Sequence, residues 1–262
     1  MEIIGTNGDD GILEGTNGDD LILGLAGTDF LIGLAGDDEL RSGPGDDEAT
    51  GDAGNDLIRG GKGSDELRAG DGDDRVFGGR DRDFLFGNDG NDELEGNDGD
   101  DYLAGGTGAD FLSGGAGNDE LRGGAQSDVL IGETGNDILR GGKGQDVLRG
   151  GEGNDTLVGG KGLDTLTGGR GDDILTGGEK TDVFNYQLAI GDLGTDTITD
   201  FDITEDMIIS DGDIVAVTDQ GAGNFLITLG GLGGSASIQI SVDASVTIRE
   251  LEATIEFPGS PI

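Results

Sequence analysis

An aspartate returns every nine residues along most of this chain: Asp20, Asp29, Asp38, Asp47, Asp56, Asp65, Asp74, Asp83, Asp92, Asp101, Asp110, Asp119, Asp128, Asp137, Asp146, Asp155, Asp164, Asp173 and Asp182. No step of nine in this series misses its Asp. Asp10 opens one earlier repeat, displaced by a single inserted residue near Glu14, which makes 20 repeats. A file of like charges is stable only if cations lie between its members. Carboxylates and main-chain carbonyls are hard oxygen donors, and six to eight of them suit Ca²⁺, whereas Mg²⁺ demands a tighter octahedron and retained waters. Zinc is disfavoured, because the chain contains neither His nor Cys.

The elements that position these aspartates follow from the rest of the frame, G-G-x-G-x-D-x-U-x, with Asp sixth and U a large apolar residue. Position eight reads Ile12, Ile22 and Leu31, then mostly Leu to Leu175 and Phe184, and only Ala49 is small. Neighbours in an extended segment point to opposite faces, so U points inward while positions seven and nine point out. The first six residues, rich in glycine, suit a turn with positive φ whose carbonyls converge. Strand and turn in alternation give a flattened coil of two repeats, and each repeat stacks on the one two places later, about 4.8 Å away. The expected fold is all-β: a parallel β-roll, a solenoid of about 20 nonapeptide repeats and roughly 45–50 Å long. Twenty turns form 18 same-side pairs, so up to about 18 ions are expected. Their charge of about +36 would offset most of the chain's −41.

Composition agrees. The 262 residues include 58 Gly and 4% aromatics, with no Trp, so no thick core of large side chains can form. Glycine is also expensive to order. A net charge of −41 alone would equally suit a disordered, solvated chain. The strict spacing of the acids favours bound cations. Nucleic acid is an unsuitable partner for this sign of charge. No apolar stretch is long enough to span a membrane. Met1-Glu2-Ile3-Ile4-Gly5 lacks the regions of a cleaved signal peptide, so an exported chain would use a route that reads no such signal.

Segments such as Gly114-Gly115-Ala116-Gly117-Asn118-Asp119-Glu120-Leu121-Arg122 and Gly150-Gly151-Glu152-Gly153-Asn154-Asp155-Thr156-Leu157-Val158 closely resemble the RTX, or haemolysin-type calcium-binding repeat, family. The resemblance covers residues 5 to about 186. It implies that turn carbonyls join the sixth-position Asp around Ca²⁺ between stacked coils. At first positions these carbonyls belong to glycines such as Gly60, Gly105, Gly114, Gly141, Gly150, Gly159 and Gly168. At fourth positions they belong to Gly63, Gly108, Gly117, Gly144, Gly153, Gly162 and Gly171. The fourth position departs from Gly at Asp81, Gln126 and Lys180, where sites are absent or adapted. The second position departs at Thr6, Thr16, Leu25, Leu34, Asp52, Asn88, Asn97 and Glu133, which the family tolerates.

Near residue 186 the pattern changes. Gly194-Thr195-Asp196-Thr197-Ile198-Thr199-Asp200-Phe201, followed by Asp206-Met207-Ile208-Ile209, looks like the segment that closes RTX rolls. The resemblance makes Asp196 and Asp200 ligands of a last calcium; solvated turn aspartates are the alternative. Segments 214–218, 225–229 and 238–242 read as short strands. The expected organisation is a calcium-binding roll over 5–186 and a C-terminal β cap and secretion region over 187–262. The family implies secretion from Gram-negative bacteria through type I machinery.

No catalysis is expected. Without His there is neither an HExxH zinc site nor a Ser–His triad. No G-x-S-x-G or G-x-x-x-x-G-K-[ST] occurs. The repeats begin at Gly5, which leaves no preceding enzyme domain in this sequence. Phe84, Phe86 and Tyr102 are expected on one outward face and Phe77 on the opposite one, as a binding patch or as ordinary face packing. Outward Thr pairs are too few for an ice-binding face, since only Thr165 and Thr167 qualify. Two function classes remain: a structural secretion-and-folding module, or an adhesin-like module for polysaccharide or a cell surface.

Overall fold

One apolar side chain among small and polar neighbours can bury only one face of an extended segment, and the strands obey that alternation. The computed structural model describes residues 1–186, 194–202, 204–210, 213–221, 224–231, 234–241 and 255–256. Two compact units are present, Met1–Gly132 and Glu133–Ile262.

In the first unit, one parallel sheet runs Glu2–Ile4, Leu21–Leu23, Glu39–Pro44, Leu57–Lys62, Arg75–Arg80, Glu93–Asp98 and Phe111–Ala116. The other runs Ile12–Glu14, Phe30–Ala35, Glu48–Ala53, Glu66–Asp71, Phe84–Asp89, Tyr102–Thr107 and Glu120–Ala125. Successive repeats therefore alternate between sheets, and Leu67, Leu85, Leu103 and Leu121 stand in register. All four are 0% exposed. Burying each stabilises by about 1.5–3 kcal/mol.

Most strands are longer than the apolar triplet. They continue through the first three residues of the next repeat, as in Glu66–Asp71, so the first-position residue faces inward beside U. A glycine there gives the coil its flatness. The fourth position shows the need for glycine most plainly. Gly54 has φ +138°, and a Cβ on it would strike the backbone of Gly36 in the preceding coil. Asp81, Gln126 and Lys180 keep left-handed backbone at φ 72°, 80° and 86°. These turns hold their course without glycine, at some strain.

The first coil differs from the sequence expectation. Leu13, not Ile12, pairs with Leu31, while Ile12 pairs with Phe30 and is 64% exposed. Glu2 pairs with Leu21 and Ile12 with Phe30, so the first coil is longer than the second by one. The extra residue is Gly11, between Asp10 and the strand, rather than one near Glu14. Ile3 fills an inward place before the first turn, opposite Ile22.

In the second unit, Ile138–Gly144, Thr156–Gly162, Ile174–Glu179 and Thr195–Ile198 form one parallel series. Val147–Glu152, Thr165–Arg170, Val183–Tyr186, Met207–Ser210 and Ile255–Glu256 form another. The two-repeat step lengthens at Ile174↔Thr197 and again at Val183↔Met207. Buried Phe201 packs on Phe184, ring centroids 5.9 Å apart. Gly234–Ser241 then pairs parallel with Thr195–Ile198, and Asn224–Gly231 and Asp213–Gly221 follow antiparallel. These are the three strands expected at 214–218, 225–229 and 238–242, except that Val242 lies outside the described residues, as do 257–262 at the tail.

Candidate metal centre

The sixth-position aspartate ends each turn and starts the next strand. Its side chain is turned inward by the alternation that turns U inward two residues later. From Asp20 to Asp182 every one is at most 5% exposed. Such burial of carboxylates is tolerated only with partners. Within each unit half of the requirement is met by the stack itself, for the backbone N–H of one Asp donates to Oδ1 of the Asp one coil later. Asp38 donates to Asp56 (2.8 Å), Asp56 to Asp74 (2.6 Å) and Asp74 to Asp92 (2.9 Å). On the other side Asp47 donates to Asp65 (2.9 Å), and Asp65 to Asp83 (2.8 Å). In the second unit Asp137 donates to Asp155 (2.8 Å) and Asp146 to Asp164 (2.9 Å).

The second oxygen is not met. Oδ2 of Asp29, Asp38, Asp47, Asp56, Asp65, Asp74, Asp83, Asp92, Asp101 and Asp110 is buried without a hydrogen-bond partner. The same holds for Asp155, Asp164, Asp173 and Asp182. What these oxygens face is shown by the first-position glycines. A Cβ on Gly24 would lie 2.6 Å from Asp29 Oδ2 and 2.6 Å from the Ser42 carbonyl of the next coil. On Gly159 it would lie 2.6 Å from Asp164 Oδ2 and 2.6 Å from the Gly177 carbonyl. Gly60 and Gly150 border the same pairing, Asp65 with Gly78 and Asp155 with Gly168. Gly105, Gly114, Gly141 and Gly168 lie against the carboxylates of Asp110, Asp119, Asp146 and Asp173. The hollows at Gly24 and Gly159 are thus lined by oxygen, from a carboxylate and a main-chain carbonyl. That donor set fits Ca²⁺. No group of three Asp, Glu, His or Cys side chains gathers among the described residues, so the main chain must complete any coordination shell.

At the fourth position the alpha carbons meet main chain. A Cβ on Gly63, Gly108, Gly117, Gly153, Gly162 or Gly171 would collide with the turn backbone one coil earlier. These glycines let the turns approach, and Gly144 supplies the carbonyl on which Gly162 rests.

Burial dominates the electrostatics of the file. Burial pushes the Asp83 carboxyl up to about 8; the Asp65 N–H draws it partly back, and Asp65, Asp101 and Asp81 add repulsion. Asp56, Asp65, Asp92, Asp155 and Asp182 are pushed to about 7, burial again being the largest cause. Asp20 is shifted the other way. Hydrogen bonds from the amino terminus and from Thr16 hold its carboxyl below the usual range.

In the closing segment, Asp196 joins the file: Asp173 N donates to its Oδ1 at 3.0 Å, and it is 1% exposed. Asp200 is engaged otherwise, accepting from Gly177 N (2.9 Å) and Gly178 N (2.8 Å). The file on the other side ends at Asp206, whose Oδ1 accepts from Asp182 N at 2.8 Å and whose Oδ2 accepts from Asp202 N at 2.9 Å. Asp206 is not among the sequence candidates, although Asp206-Met207-Ile208-Ile209 repeats the D-x-U-x tail of the frame. A second file, at position five, is likewise absent from them. There the side chain accepts from the backbone one coil later, as in Asp37 from Asn55 (2.9 Å), Asn55 from Asp73 (2.8 Å) and Asp73 from Asn91 (2.8 Å). The two neighbouring files run in opposite directions.

Stacked parallel coils with buried, half-satisfied carboxylates facing main-chain oxygens define a cation-binding repeat protein. The RTX calcium-binding nonapeptide repeat matches residues 14–49, 50–85, 77–112, 86–121, 113–148, 122–157 and 149–184. The chain belongs to that family and is a calcium-binding repeat module. Among solved structures, the chain is similar to the extracellular lipase LipA from Serratia marcescens, with 21% identity and a TM-score of 0.30. The likeness covers 74% of this chain and 40% of the lipase chain. No curated protein matches. No helix among the described residues is long and apolar enough to cross a membrane.

Proposed function

We propose that residues 5–186 are a calcium-loaded roll that folds on binding Ca²⁺ after type I export from a Gram-negative cell, with 187–262 as its closing and secretion region and no catalysis of its own. The supporting observation is the row of buried Oδ2 atoms that find no protein donor. When bound, calcium supplies the positive charge and coordination these oxygens lack. The sixth-position carboxylates and the first- and fourth-position carbonyls hold it. Up to about 18 ions are expected per chain. Isothermal calorimetry with metal counting tests this; a full chain that binds fewer than a handful of ions in millimolar calcium ends it.

A second reading, an outward face that binds polysaccharide or a cell surface, is favoured by one cluster. Tyr102 packs between Phe84 and Phe86, with centroids at 6.2 and 5.8 Å. Arg82, Arg68 and Arg122 lie over the Phe84, Phe86 and Tyr102 rings at 5.2, 5.1 and 5.3 Å. Such an aromatic and cationic face suits a sugar ring with an acidic group. On a glycan array the loaded chain is expected to retain acidic polysaccharide, and Phe84→Ala with Tyr102→Ala to lose at least tenfold in affinity while folding unchanged. Equal binding by the double variant removes this reading.

A further inference from the structure

The first two turns of the repeat region differ from later ones. There the second position is left-handed whatever its side chain: Leu25 and Leu34 at φ 83°, Asn88 at 78°, Gly61 at 123°. Thr6 and Thr16 are not in that region. Their backbone N–H groups turn instead toward the turn's own carboxylate. Thr6 N donates to Asp10 Oδ2 and Thr16 N to Asp20 Oδ2, both at 2.6 Å. The hydroxyls follow, Thr6 Oγ1 lying 3.0 Å from Asp10 Oδ1 and Thr16 Oγ1 2.9 Å from Asp20 Oδ2. The oxygen that is orphaned in Asp29 and Asp38 has a donor in both of these turns.

We propose that these two turns hold no calcium, because Thr6 and Thr16 take the ion's place. This rests on the reading of the later turns as calcium sites. A metal needs lone pairs pointing at it, whereas an amide N–H points a positive hydrogen. Freeing the carboxylate requires the Thr to enter the left-handed region, which β-branched residues adopt least readily. The carbonyls that would face an ion are still there: a Cβ on Gly15 would meet Gly33 O at 2.5 Å and Asp20 Oδ2 at 2.9 Å. The second-position amide has changed the hollow from acceptor-lined to internally satisfied, and the fourth-position Gly8 and Gly18 likewise stay out of the left-handed region that later fourth positions adopt. Met1's amino group also touches Asp20, but Asp10 shows the threonine arrangement without it, so the amino terminus is not the common cause. The roll therefore starts with two turns whose charge is held by hydrogen bonds in the absence of metal.

Native mass spectrometry of the full chain at saturating calcium counts the ions. Asp20→Asn is expected to leave the count unchanged, whereas Asp56→Asn lowers it by at least one. Thr16→Gly, which restores the glycine of later turns, is expected to raise it by one. A loss of an ion in Asp20→Asn, or an unchanged count in Thr16→Gly, overturns the proposal. An unaltered chain that retains no calcium at all overturns it too, and identifies the calcium reading as the part that failed.

Discussion

In excess chelator the chain is expected to lose its β circular-dichroism signal, and to regain it steeply as free calcium rises into the millimolar range. Each repeat orders a glycine-rich stretch around one inward side chain such as Leu85 or Leu103. Ordering costs about 1–2 kcal/mol per residue in backbone entropy, and a ladder hydrogen bond returns only about 1 kcal/mol net. Between the coils stand carboxylates that repel. An ion at ten times its Kd adds about 1.4 kcal/mol per site, and a rise in calcium acts on every site at once. Sites that share turns should fill together, because each ion orders the coil that forms the next. The transition is therefore expected to be sharp, with a Hill coefficient well above 1. A chain with its full β signal in chelator would refute the dependence.

The second large effect is that protons partly replace calcium. With no cation between the coils, Asp47, Asp74, Asp101 and Asp173 are pushed to about 6 and Asp83 to about 8, burial being the first cause throughout. In the unfolded chain these carboxyls titrate near 3.8. A folded value above the unfolded one means that the metal-free stack is most stable where both forms are protonated, below about pH 4. That stability is lost as pH rises through the folded values, about 6 to about 8. Acidifying the chelated chain from pH 8 to pH 4.5 should therefore recover β signal. Calcium must displace the same protons, so its apparent affinity should fall over this window. Calorimetry in buffers of different ionisation enthalpy reads the protons released. Zero release at pH 7, together with calcium affinity that is flat from pH 8 to pH 5, would contradict the raised carboxyls.

The nine-residue spacing makes the inward Leu column and the sixth-position file readable without coordinates, because both depend only on strand alternation. Features that depend on how one coil meets the next are not readable in the same way. Spacing misplaces the insertion because Ile12 and Leu13 are both apolar, and only pairing with Phe30 and Leu31 tells them apart. The position-five file is hidden because its residues vary: mostly Asp or Asn, but also Ser, Thr, Ala, Arg82, Gln145 and Leu163. The bond is made by those that carry a suitable side-chain oxygen, and the backbone donor one coil later needs no particular residue. Asp206 falls out of the series because its step from Asp182 is longer than two repeats. The frame that marks it, Asp followed by an inward Ile208, is nevertheless intact. Thr6 and Thr16 look like tolerated replacements of glycine. Their effect lies in a change of backbone region, which the spacing does not encode.

The upper face of one coil complements the lower face of the next, and every coil repeats the same pair of faces, since position five reaches forward to the next coil while position six receives from the one before. The first unit is therefore editable like a stack of identical plates. Excising one whole plate, for example residues 57–74, would join Asp56 directly to Arg75, which then takes the place in the frame that Leu57 had. Later strands of the unit return to their own sheets, with both files rejoined. Excising a single repeat would exchange the two outward surfaces from that point on, sending the Phe84 cluster to the side now held by Phe77. Length can thus vary in evolution by whole plates without a new fold, whereas half a plate rewrites what the protein shows to its surroundings.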